Sequence, residues 1–377
     1  MTDPQHSAPE SFRLAIRDAA RGLVDRESLV ELVALAAVAG EHLLVIGPPG
    51  TAKSEAVRRI ARAIGGQYFE YLLGRFTEPS EIFGPVDLRK LREGTVETET
   101  RGMLPEAHLA FLDEIFLGST AILNTLLGVL NERTFYRGHT RIACPLRVCV
   151  AASNALPSDE SLAALADRFL VRVFVDPVPD GRLEELLERG SDPWAPSRAT
   201  SVDDLDRLSQ AARKVELEGV RPELAEAIRR LRREGVVLSD RRLVKLQRLV
   251  AAAAAIDGRD RATSRDLWPI VYAVPTAEEQ AIAREALGPL LSHSASDVLV
   301  SASASASEGL AARAAKLAAA IEEALREAPV EEQAAARHRL RLEGLARALD
   351  AAFAPDSLPE TLATQRNALV AAIGGAP

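Results

Sequence analysis

Hydrophobic residues along the chain follow two different spacings, and their alternation predicts strands separated by helices. Apolar residues recur at helical spacing over residues 12–21 and 27–39, and Gly40 is placed to end the second of these helices. A third helix is predicted from Lys53 to Ile64. Short apolar runs typical of buried strands occur at His42–Ile46, Tyr68–Leu73, Leu109–Leu112, Arg147–Ala152 and Val171–Val175. Strands connected by helices form parallel sheets covered on both faces, so the pattern predicts an α/β fold.

Two segments inside this α/β region have the pattern of β-hairpins. Residues 87–100 would turn near Glu93 and Gly94, and residues 134–142 would turn near Gly138. Both segments are also compatible with surface elements of the core that have no functional role.

The rest of the chain is predicted to be mostly helical. From residue 181 to about residue 273 the apolar spacing is helical, with a break at Gly235 and a helix N-cap at Thr263. Residues 292–307 alternate Ser and Ala with almost no bulky side chains, which predicts a flexible linker. Three amphipathic helices are predicted beyond this linker, at Leu310–Leu325, Glu331–Phe353 and Pro359–Ile373.

These patterns divide the chain into successive predicted segments. They are a disordered polar N-terminus (1–11), an α/β core (12–178), a smaller all-helical domain (179–291), the Ser/Ala linker (292–307) and a helical C-terminal region (308–377). The chain has 377 residues, of which 47% are apolar and only 4% aromatic. It is therefore long enough for two or three domains, each packed mainly by aliphatic side chains.

Charge and composition argue against several classes of function. The formal net charge of -8 disfavours broad nucleic-acid binding, because phosphate neutralisation needs clustered Lys and Arg. No apolar run reaches membrane-spanning length, and residues 29–39 include Glu31 and lack the basic start of a signal peptide. A cytoplasmic location is therefore predicted. Cys144 and Cys149 lie five apart in a strand-like run and point to opposite faces, so we expect neither a disulfide nor a metal site.

The strongest chemical signal is a glycine-rich loop between a predicted buried strand and a predicted helix. Its residues are Gly47, Pro48, Pro49, Gly50, Thr51, Ala52, Lys53 and Ser54. Backbone N–H groups of such a loop surround a β-phosphate, Lys53 would reach the β- and γ-phosphates of ATP, and the Ser54 hydroxyl would bind Mg²⁺. The usual motif has Gly before the Lys, and Ala52 fits if it has helical dihedral angles. The alternative is an ordinary Gly-Pro turn.

A second signal is an apolar strand over residues 108–114 that ends in two carboxylates. Asp113 is placed to hold the Mg²⁺ shell, and Glu114 is placed to orient and deprotonate the attacking water. Taken alone, such an ending is also typical of a strand that leaves the core for solvent. Its position about 60 residues after a phosphate loop makes the nucleotide interpretation much more specific.

Three further residues lie where site residues could be expected, but each also has an ordinary structural interpretation. Asn154 ends another apolar strand, where it could hydrogen-bond the γ-phosphate or the water, or simply stabilise a strand-end turn. Arg168 lies between a helical run and a strand, and Arg241 begins a predicted helix capped by Ser239 or Asp240. Both arginines are equally compatible with solvated surface side chains.

Taken in order, these motifs resemble those of the MoxR family of AAA+ ATPases, and of its RavA-like branch in particular. The resemblance is dense from about Gly22 to Tyr272. The motifs that carry it are Gly22-Leu23-Val24-Asp25-Arg26, Gly47 to Ser54, Phe76 to Gly84, Phe111 to Ile115, Ala121 to Leu127, Asn131-Glu132-Arg133, Ala151 to Asn154 and Asp167-Arg168-Phe169. The resemblance implies a P-loop AAA+ core, an all-helical lid domain and a helical C-terminal tail.

The same resemblance implies roles for individual residues. Leu23 and Val24 would contact adenine, Asn154 would be the sensor 1 residue and Arg168 the arginine finger. Arg241 would be the sensor 2 arginine, with the adjacent Arg242 as the alternative. It also implies a ring, usually of six subunits, with ATP and Mg²⁺ at the interfaces and Arg168 donated to the neighbouring site. A partner with a von Willebrand A domain is implied as well, and the two predicted hairpins would face the central pore.

Three classes of function are consistent with these motifs. The first is an ATPase that remodels or matures a protein client, the second an ATP-controlled assembly module with slow turnover, and the third a nucleic-acid motor. The set of Asp113, Glu114, Asn154 and Arg168 favours hydrolysis over the second class. The acidic balance and the lack of a recognisable nucleic-acid module argue against the third.

Overall fold

The structure is a computed structural model that describes residues 8–189, 194–195, 200–326, 332–352 and 360–374. The described chain divides into two compact units. The first takes the residues up to 307, apart from 22–25 and 177–193, which belong with the C-terminal helices in the second. None of the helices in these described ranges is long and apolar enough to span a membrane.

A five-stranded parallel sheet forms the centre of the first unit. Its strands are β1 (Leu43–Ile46), β2 (Tyr68–Leu72), β3 (Leu109–Asp113), β6 (Val148–Ser153) and β7 (Val171–Phe174). Their order across the sheet is β2-β3-β6-β1-β7. Every residue of β1 and β6 is buried, which explains why these strands appear in the sequence as continuous apolar runs. The five strands predicted from the sequence are therefore confirmed, each to within a residue at its ends.

Helices and short connections surround this sheet. The α-helices of the core are α1 (Ala8–Ala20), α2 (Glu27–Ala39), α3 (Lys53–Ile64), α4 (Pro79–Phe83), α5 (Leu88–Arg92), α6 (Thr120–Glu132) and α7 (Glu160–Ala166). Helix α2 contacts β1, β6 and β7, and it is apolar on nearly all sides because α1, α3 and α11 (Asp240–Ile256) pack on it as well. The predicted α/β core with helices on both faces is confirmed.

One of the two predicted hairpins is confirmed and the other is wrong. Strands β4 (Thr134–Arg137) and β5 (Thr140–Ala143) pair antiparallel, and Gly138 turns with φ 59°. Between residues 87 and 100, by contrast, the chain forms helix α5. Only one isolated β-bridge forms in place of the predicted pair of strands. The cause is Asp87, whose carboxylate accepts hydrogen bonds from the N–H groups of Arg89 and Lys90 and so begins a helix in a Leu-Arg-Lys-Leu segment.

The helices that follow the sheet within the first unit are α9 (Val202–Ala212), α10 (Arg221–Arg233), α11, α12 (Ala277–Leu291) and α13 (Val300–Ser307). The predicted break at Gly235 is confirmed by its φ of 81°. Thr263 forms the predicted N-cap as half of a capping box with Asp266, at the start of a three-residue 3-10 helix. Helix α11 packs on both α2 and α9, so these helices and the sheet share one core.

The predicted ends of the ordered region require two corrections. Residues 1–7 of the predicted disordered N-terminus lie outside the described residues, but α1 already begins at Ala8 and Ser11 is buried. The predicted flexible linker at 292–307 is wrong, because its second half is helix α13 with Ala302, Ser303 and Ala306 buried. The prediction failed because small Ser and Ala side chains are compatible with a flexible segment and also with close helix packing. Here they allow α13 to pack closely on α2.

The second unit is built mainly from three C-terminal helices. These are α14 (Leu310–Arg326), α15 (Glu332–Ala352) and α16 (Glu360–Gly374), and they agree with the three predicted helices except at residues 331, 353 and 359, which lie outside the described residues. Their shared core consists of Ile321, Ala324, Leu342, Leu349, Leu362 and Leu369. Helix α8 (Leu183–Arg189) also belongs to this unit, although the sequence predicted it to be part of the helical domain that begins at 179.

A buried carboxylate on α2 joins α13 to the core and makes folding sensitive to pH. Glu31 accepts hydrogen bonds from the N–H groups of Ser301 at 3.2 Å and Ala302 at 2.7 Å, in the first turn of α13. Burial raises the pKa of Glu31 to about 7, against the opposing effect of these two bonds. The folded chain therefore keeps a proton on Glu31 that the unfolded chain releases at lower pH, so rising pH favours unfolding across this window.

We predict that the free energy of unfolding falls by about 3 kcal/mol through Glu31 as pH rises from 5 to 8, at about 1.36 kcal/mol per pKa unit. Glu31→Gln keeps an acceptor oxygen but cannot ionise, so its unfolding free energy should lack this slope. Denaturant unfolding at four pH values measures it, with Glu285→Gln on the exposed surface of α12 as control. Parallel pH curves for the wild type and Glu31→Gln would contradict the prediction.

Candidate functional site

The predicted phosphate loop lies between β1 and α3, at the edge of the sheet where the parallel strands end. The N–H group of Gly47 donates to the carbonyl of Ser153 at 3.1 Å. A Cβ atom on Gly47 would lie 2.1 Å from the carbonyl oxygen of Val175, so only glycine fits at this position. The loop therefore leaves the sheet in close contact with the ends of β6 and β7.

The conformation of Ala52 differs from the expectation. Ala52 has φ 57° and ψ 24°, which is left-handed, so the condition under which alanine would fit this position without strain is not met. A left-handed alanine costs about 1–2 kcal/mol relative to the right-handed form. Gly50 also has a positive φ, of 78°, and residues of opposite handedness in succession turn their N–H groups toward one point. The strain at Ala52 thus accompanies a backbone suited to holding an anion.

Lys53 is folded over this loop. Its Nζ donates to the carbonyl oxygens of Gly47 at 2.7 Å and Pro48 at 2.8 Å, and the residue is almost fully buried. Burial lowers the pKa of Lys53, while the charges of Asp113 and Glu114 act in the opposite direction. A cation held by two carbonyls above an N–H-rich loop is placed to exchange those carbonyls for phosphate oxygens.

The two predicted acidic residues and Asn154 come together beside the loop. Asp113 ends β3, and its Oδ1 accepts a hydrogen bond from the N–H of Glu114 at 3.0 Å. Glu114 has a left-handed backbone with φ 50°, which turns the chain away from the strand direction. Its Oε1 accepts a hydrogen bond from Nδ2 of Asn154 at 2.8 Å. The contact arises because β3 and β6 are neighbours in the sheet, so residues that follow them meet.

The residues predicted to bind Mg²⁺ fit a metal that arrives with its nucleotide. Ser54 lies in the first turn of α3, and Asp113 lies at the end of β3, at the same edge of the sheet. The described part of the chain contains no group of three or more His, Cys, Asp or Glu side chains able to hold a metal by themselves. Mg²⁺ commonly takes one or two protein oxygens together with substrate phosphates and water, which is what one hydroxyl and one carboxylate supply.

All five strands begin at one edge of the sheet, here called the amino edge, and end at the opposite carboxyl edge. Arg168 lies at the amino edge, whereas Lys53 lies at the carboxyl edge. Arg168 precedes β7, whose first residue Val171 pairs with Leu43, the first residue of β1. The phosphate loop follows the last residue of β1, and a four-residue strand spans roughly 13 Å. The Nε atom of Arg168 is buried and has no hydrogen-bond partner among the described residues.

Arg241 also lies at this amino edge. It is exposed in the first turn of α11, and its Nη2 donates to Oδ1 of Asn131 at 2.8 Å. Asn131 lies near the end of α6, next to Leu130, whose carbonyl contacts His42 just before β1. Within one chain the structure therefore does not bring Arg241 or Arg168 to Lys53 and Glu114.

The residues predicted to contact adenine belong to the second unit. Leu23 and Val24 are buried, at 8% and 4% exposure, in the segment 22–25 that groups with the C-terminal helices. Their contact with adenine stays a prediction.

Arg26 is a residue of the loop environment that sequence reasoning did not single out. It is 4% exposed, its Nε donates to the carbonyl of Thr51 at 2.7 Å, and its Nη2 donates to the carbonyl of Asp176 at 2.5 Å. It thereby ties the phosphate loop to the segment after β7. The sequence did contain a signal for this residue. A basic side chain at the start of a helix, here α2, interacts unfavourably with the helix dipole, which indicates that Arg26 has a partner elsewhere.

We predict that Arg26→Met raises the dissociation constant for ATP about 10- to 100-fold, because it removes charge-assisted hydrogen bonds worth about 1.5–3 kcal/mol that hold Thr51. Titration of a fluorescent ATP analogue measures this, and the melting temperature reports any general loss of fold. Arg62→Met, an exposed arginine on α3, is the matched control and should bind ATP normally. Unchanged affinity in Arg26→Met would show that the loop holds its shape without this side chain.

Similarity to known proteins agrees with this geometry. Two uncharacterized proteins of Methanocaldococcus jannaschii are 34% and 33% identical over 246 and 245 residues, which is 65% of this chain in both cases and 66% and 64% of those proteins. The chain thus spans slightly less than two thirds of the length of these relatives. The chaperone MoxR1 of Mycobacterium tuberculosis is 28% identical over 225 residues, covering 55% of this chain and 59% of that protein.

The fold is shared with a solved structure, and two sequence profiles cover most of the first unit. A candidate ATPase from Cytophaga hutchinsonii is similar with a TM-score of 0.60 and 17% identity, over 76% of this chain and 94% of that one. The profile of the MoxR domain in the MoxR-vWA-beta-propeller ternary systems matches residues 10–213, and that of an AAA lid domain matches residues 217–284. Since the first profile alone covers more than half of the chain and the second follows it directly, the chain belongs to the MoxR family of AAA+ ATPases.

Proposed function

We propose that this chain hydrolyses ATP with Mg²⁺ at the interfaces of a hexameric ring in order to remodel or mature a protein client. The observation that carries hydrolysis is the hydrogen bond between Asn154 and Glu114 beside Lys53. A carboxylate held by a neutral amide next to a phosphate loop is suited to orient a water molecule and accept its proton.

Each residue of the carboxyl edge has a task in this proposal. The N–H groups of Gly47 to Ser54 and the Lys53 ammonium bind the β- and γ-phosphates. The Ser54 hydroxyl and the Asp113 carboxylate hold Mg²⁺, which would neutralise phosphate charge. Glu114 orients the attacking water and accepts its proton, while Asn154 fixes the Glu114 carboxylate and contacts the γ-phosphate side of the site.

The topology supports a site shared between subunits. Lys53, Asp113 and Glu114 lie at one edge of the sheet, whereas Arg168 and Arg241 lie at the other. A head-to-tail contact joins the two edges of successive copies, and such contacts form a ring when the rotation from one copy to the next closes. In this arrangement Arg168 serves as the arginine finger and Arg241 as the sensor 2 arginine of the neighbouring site. Arginine suits both tasks because its planar fork is permanently charged.

The proposed partner is a protein with a von Willebrand A domain. Support comes from the matching profile, which is that of the MoxR domain in MoxR-vWA-beta-propeller ternary systems. The cytoplasmic location stays a prediction. The alternative of an ATP-controlled assembly module with slow turnover keeps the same site and differs only in rate, so a turnover measurement with and without the partner separates the two.

We predict different effects for two substitutions at the carboxyl edge. Lys53→Ala should weaken ATP binding at least about 100-fold, because the loop loses its charge-assisted phosphate contact. Glu114→Gln should bind ATP with an affinity within about threefold of the wild type but hydrolyse it at least about 100-fold more slowly, because only water activation is lost. Equilibrium binding and phosphate release measure the two effects, with Lys90→Ala on exposed α5 as control. An equal loss of affinity in both variants would contradict the assigned roles.

We also predict that Arg168→Ala retains ATP binding and loses about 10³-fold in turnover, the lower end of what a finger supplied in trans contributes. Mixing Arg168→Ala with Glu114→Gln subunits should restore part of the activity, because some interfaces then join an intact Glu114 to an intact Arg168. ATPase rate against mixing ratio, with light scattering for oligomer size, measures this. Arg229→Ala on exposed α10 is the control. Normal turnover of Arg168→Ala, or a fully active monomer, would refute the shared site.

A further inference from the structure

Arg242 differs from its neighbour Arg241 in nearly every respect. Arg241 is exposed, whereas Arg242 is 2% exposed and is among the largest fully buried side chains of the described chain. Both lie in the first turn of α11, which the Ser239 side chain caps by accepting from the N–H of Arg242. The two guanidinium groups point to different places, so these adjacent arginines have different surroundings.

The guanidinium of Arg242 holds the segment that contains Arg168. Of its five hydrogen bonds, four go to residues 167–170 and the fifth goes to the carbonyl of Ala273, within the helical domain. The four acceptors are Asp167 Oδ1 at 3.0 Å, Asp167 O at 3.4 Å, Phe169 O at 3.3 Å and Leu170 O at 2.7 Å. The backbone carbonyls on both sides of Arg168 therefore accept hydrogen bonds from Arg242 of α11.

A second buried arginine supports the same segment from the sheet. Arg172 of β7 is 3% exposed and donates to the carbonyls of Ala166 and Phe169. Phe169 O thus accepts from both arginines. Gln280 of α12 in turn donates to the carbonyl of Arg172 at 3.1 Å, which adds a further helix to the support.

This arrangement is costly for stability alone. Burial, together with the charge of Arg242, lowers the pKa of Arg172 to about 9, while the Asp167 carboxylate acts in the opposite direction. Burial also lowers the pKa of Arg242, although the Asp167 carboxylate beside it opposes the shift. Two buried like charges side by side are destabilising compared with apolar packing, so their presence needs a reason other than core stability. Rigid placement of one segment is such a reason.

We propose that Arg242 is a positioning residue for Arg168, and that it couples the orientation of the helical domain to the position of the arginine finger. This inference rests on the proposed function of Arg168. It differs from a direct role of Arg242 at its own nucleotide, because Arg242 lies at the amino edge with Arg168 and not at the edge that holds Lys53.

The inference predicts how Arg242 behaves in mixed rings. A subunit with an altered Arg242 offers a misplaced finger to its neighbour, while its own Glu114 and phosphate loop stay intact. It should therefore be defective on the same side of the interface as Arg168→Ala. A residue that acts at its own nucleotide would be defective on the other side.

Arg242→Lys tests this, since lysine keeps the charge but cannot make the forked set of hydrogen bonds. We expect an ATP affinity within about threefold of the wild type and a kcat lowered about 100-fold, the effect of a misplacement near 1 Å. Mixing with Glu114→Gln should raise the activity, whereas mixing with Arg168→Ala should not. Arg232→Lys, the same change on exposed α10, is the matched control and should behave as the wild type.

Several outcomes would overturn the inference. Normal kcat in Arg242→Lys refutes it, and so does a gain of activity on mixing Arg242→Lys with Arg168→Ala, which would place Arg242 at its own nucleotide. If Arg242→Lys loses its fold or its ATP binding, Asp167→Asn decides by the same mixing test, because it removes only the carboxylate partner of Arg242. Normal turnover of Arg168→Ala itself would instead refute the proposed function.

Discussion

The parallel pairing of β1 with β6 and β7 determines where the phosphate loop and the Arg168 segment lie in the fold. It makes the three strands end together, so that Gly47 leaves β1 against the carbonyls of Ser153 and Val175 with no space for a side chain. The loop that follows can then turn its N–H groups inward and begin α3 at Lys53. On its other side β6 pairs with β3, which brings Asn154 to Glu114, since residues that follow neighbouring parallel strands meet at one edge.

A parallel sheet also has a second edge, and the chain uses both. Asp113 and Lys53 lie at the carboxyl edge, and Arg168 lies at the amino edge, where two buried arginines hold its segment. Groups separated in this way cannot cooperate within one copy. In the proposed ring, Lys53 and Asp113 of one subunit meet Arg168 of the next across the interface. Because the helical domain is hydrogen-bonded to the Arg168 segment, a change in its orientation would move Arg168 at the neighbouring site.

The strands, the phosphate loop and the acidic pair could be predicted because each rests on neighbours in sequence. Two predictions failed where a local pattern had two physical meanings. Asp87 began helix α5 where alternation indicated a strand, and the Ser/Ala segment packed as α13 because small side chains permit close contact as readily as flexibility. Ala52 is left-handed because the loop geometry, rather than alanine's own preference, determines its backbone.

Periodicity and motif spacing are local properties, so they were enough to predict the order of strands and helices, the loop from Gly47 to Ser54 and the acids that end β3. The packing of the folded chain was needed to show which of two adjacent arginines is buried, which carbonyls accept hydrogen bonds from Arg242 and why Arg26 lies beside the loop. These contacts join residues 25 to 150 positions apart, as with Arg26 and its partners Thr51 and Asp176. No local pattern specifies such partners, because they depend on how separate elements pack in space.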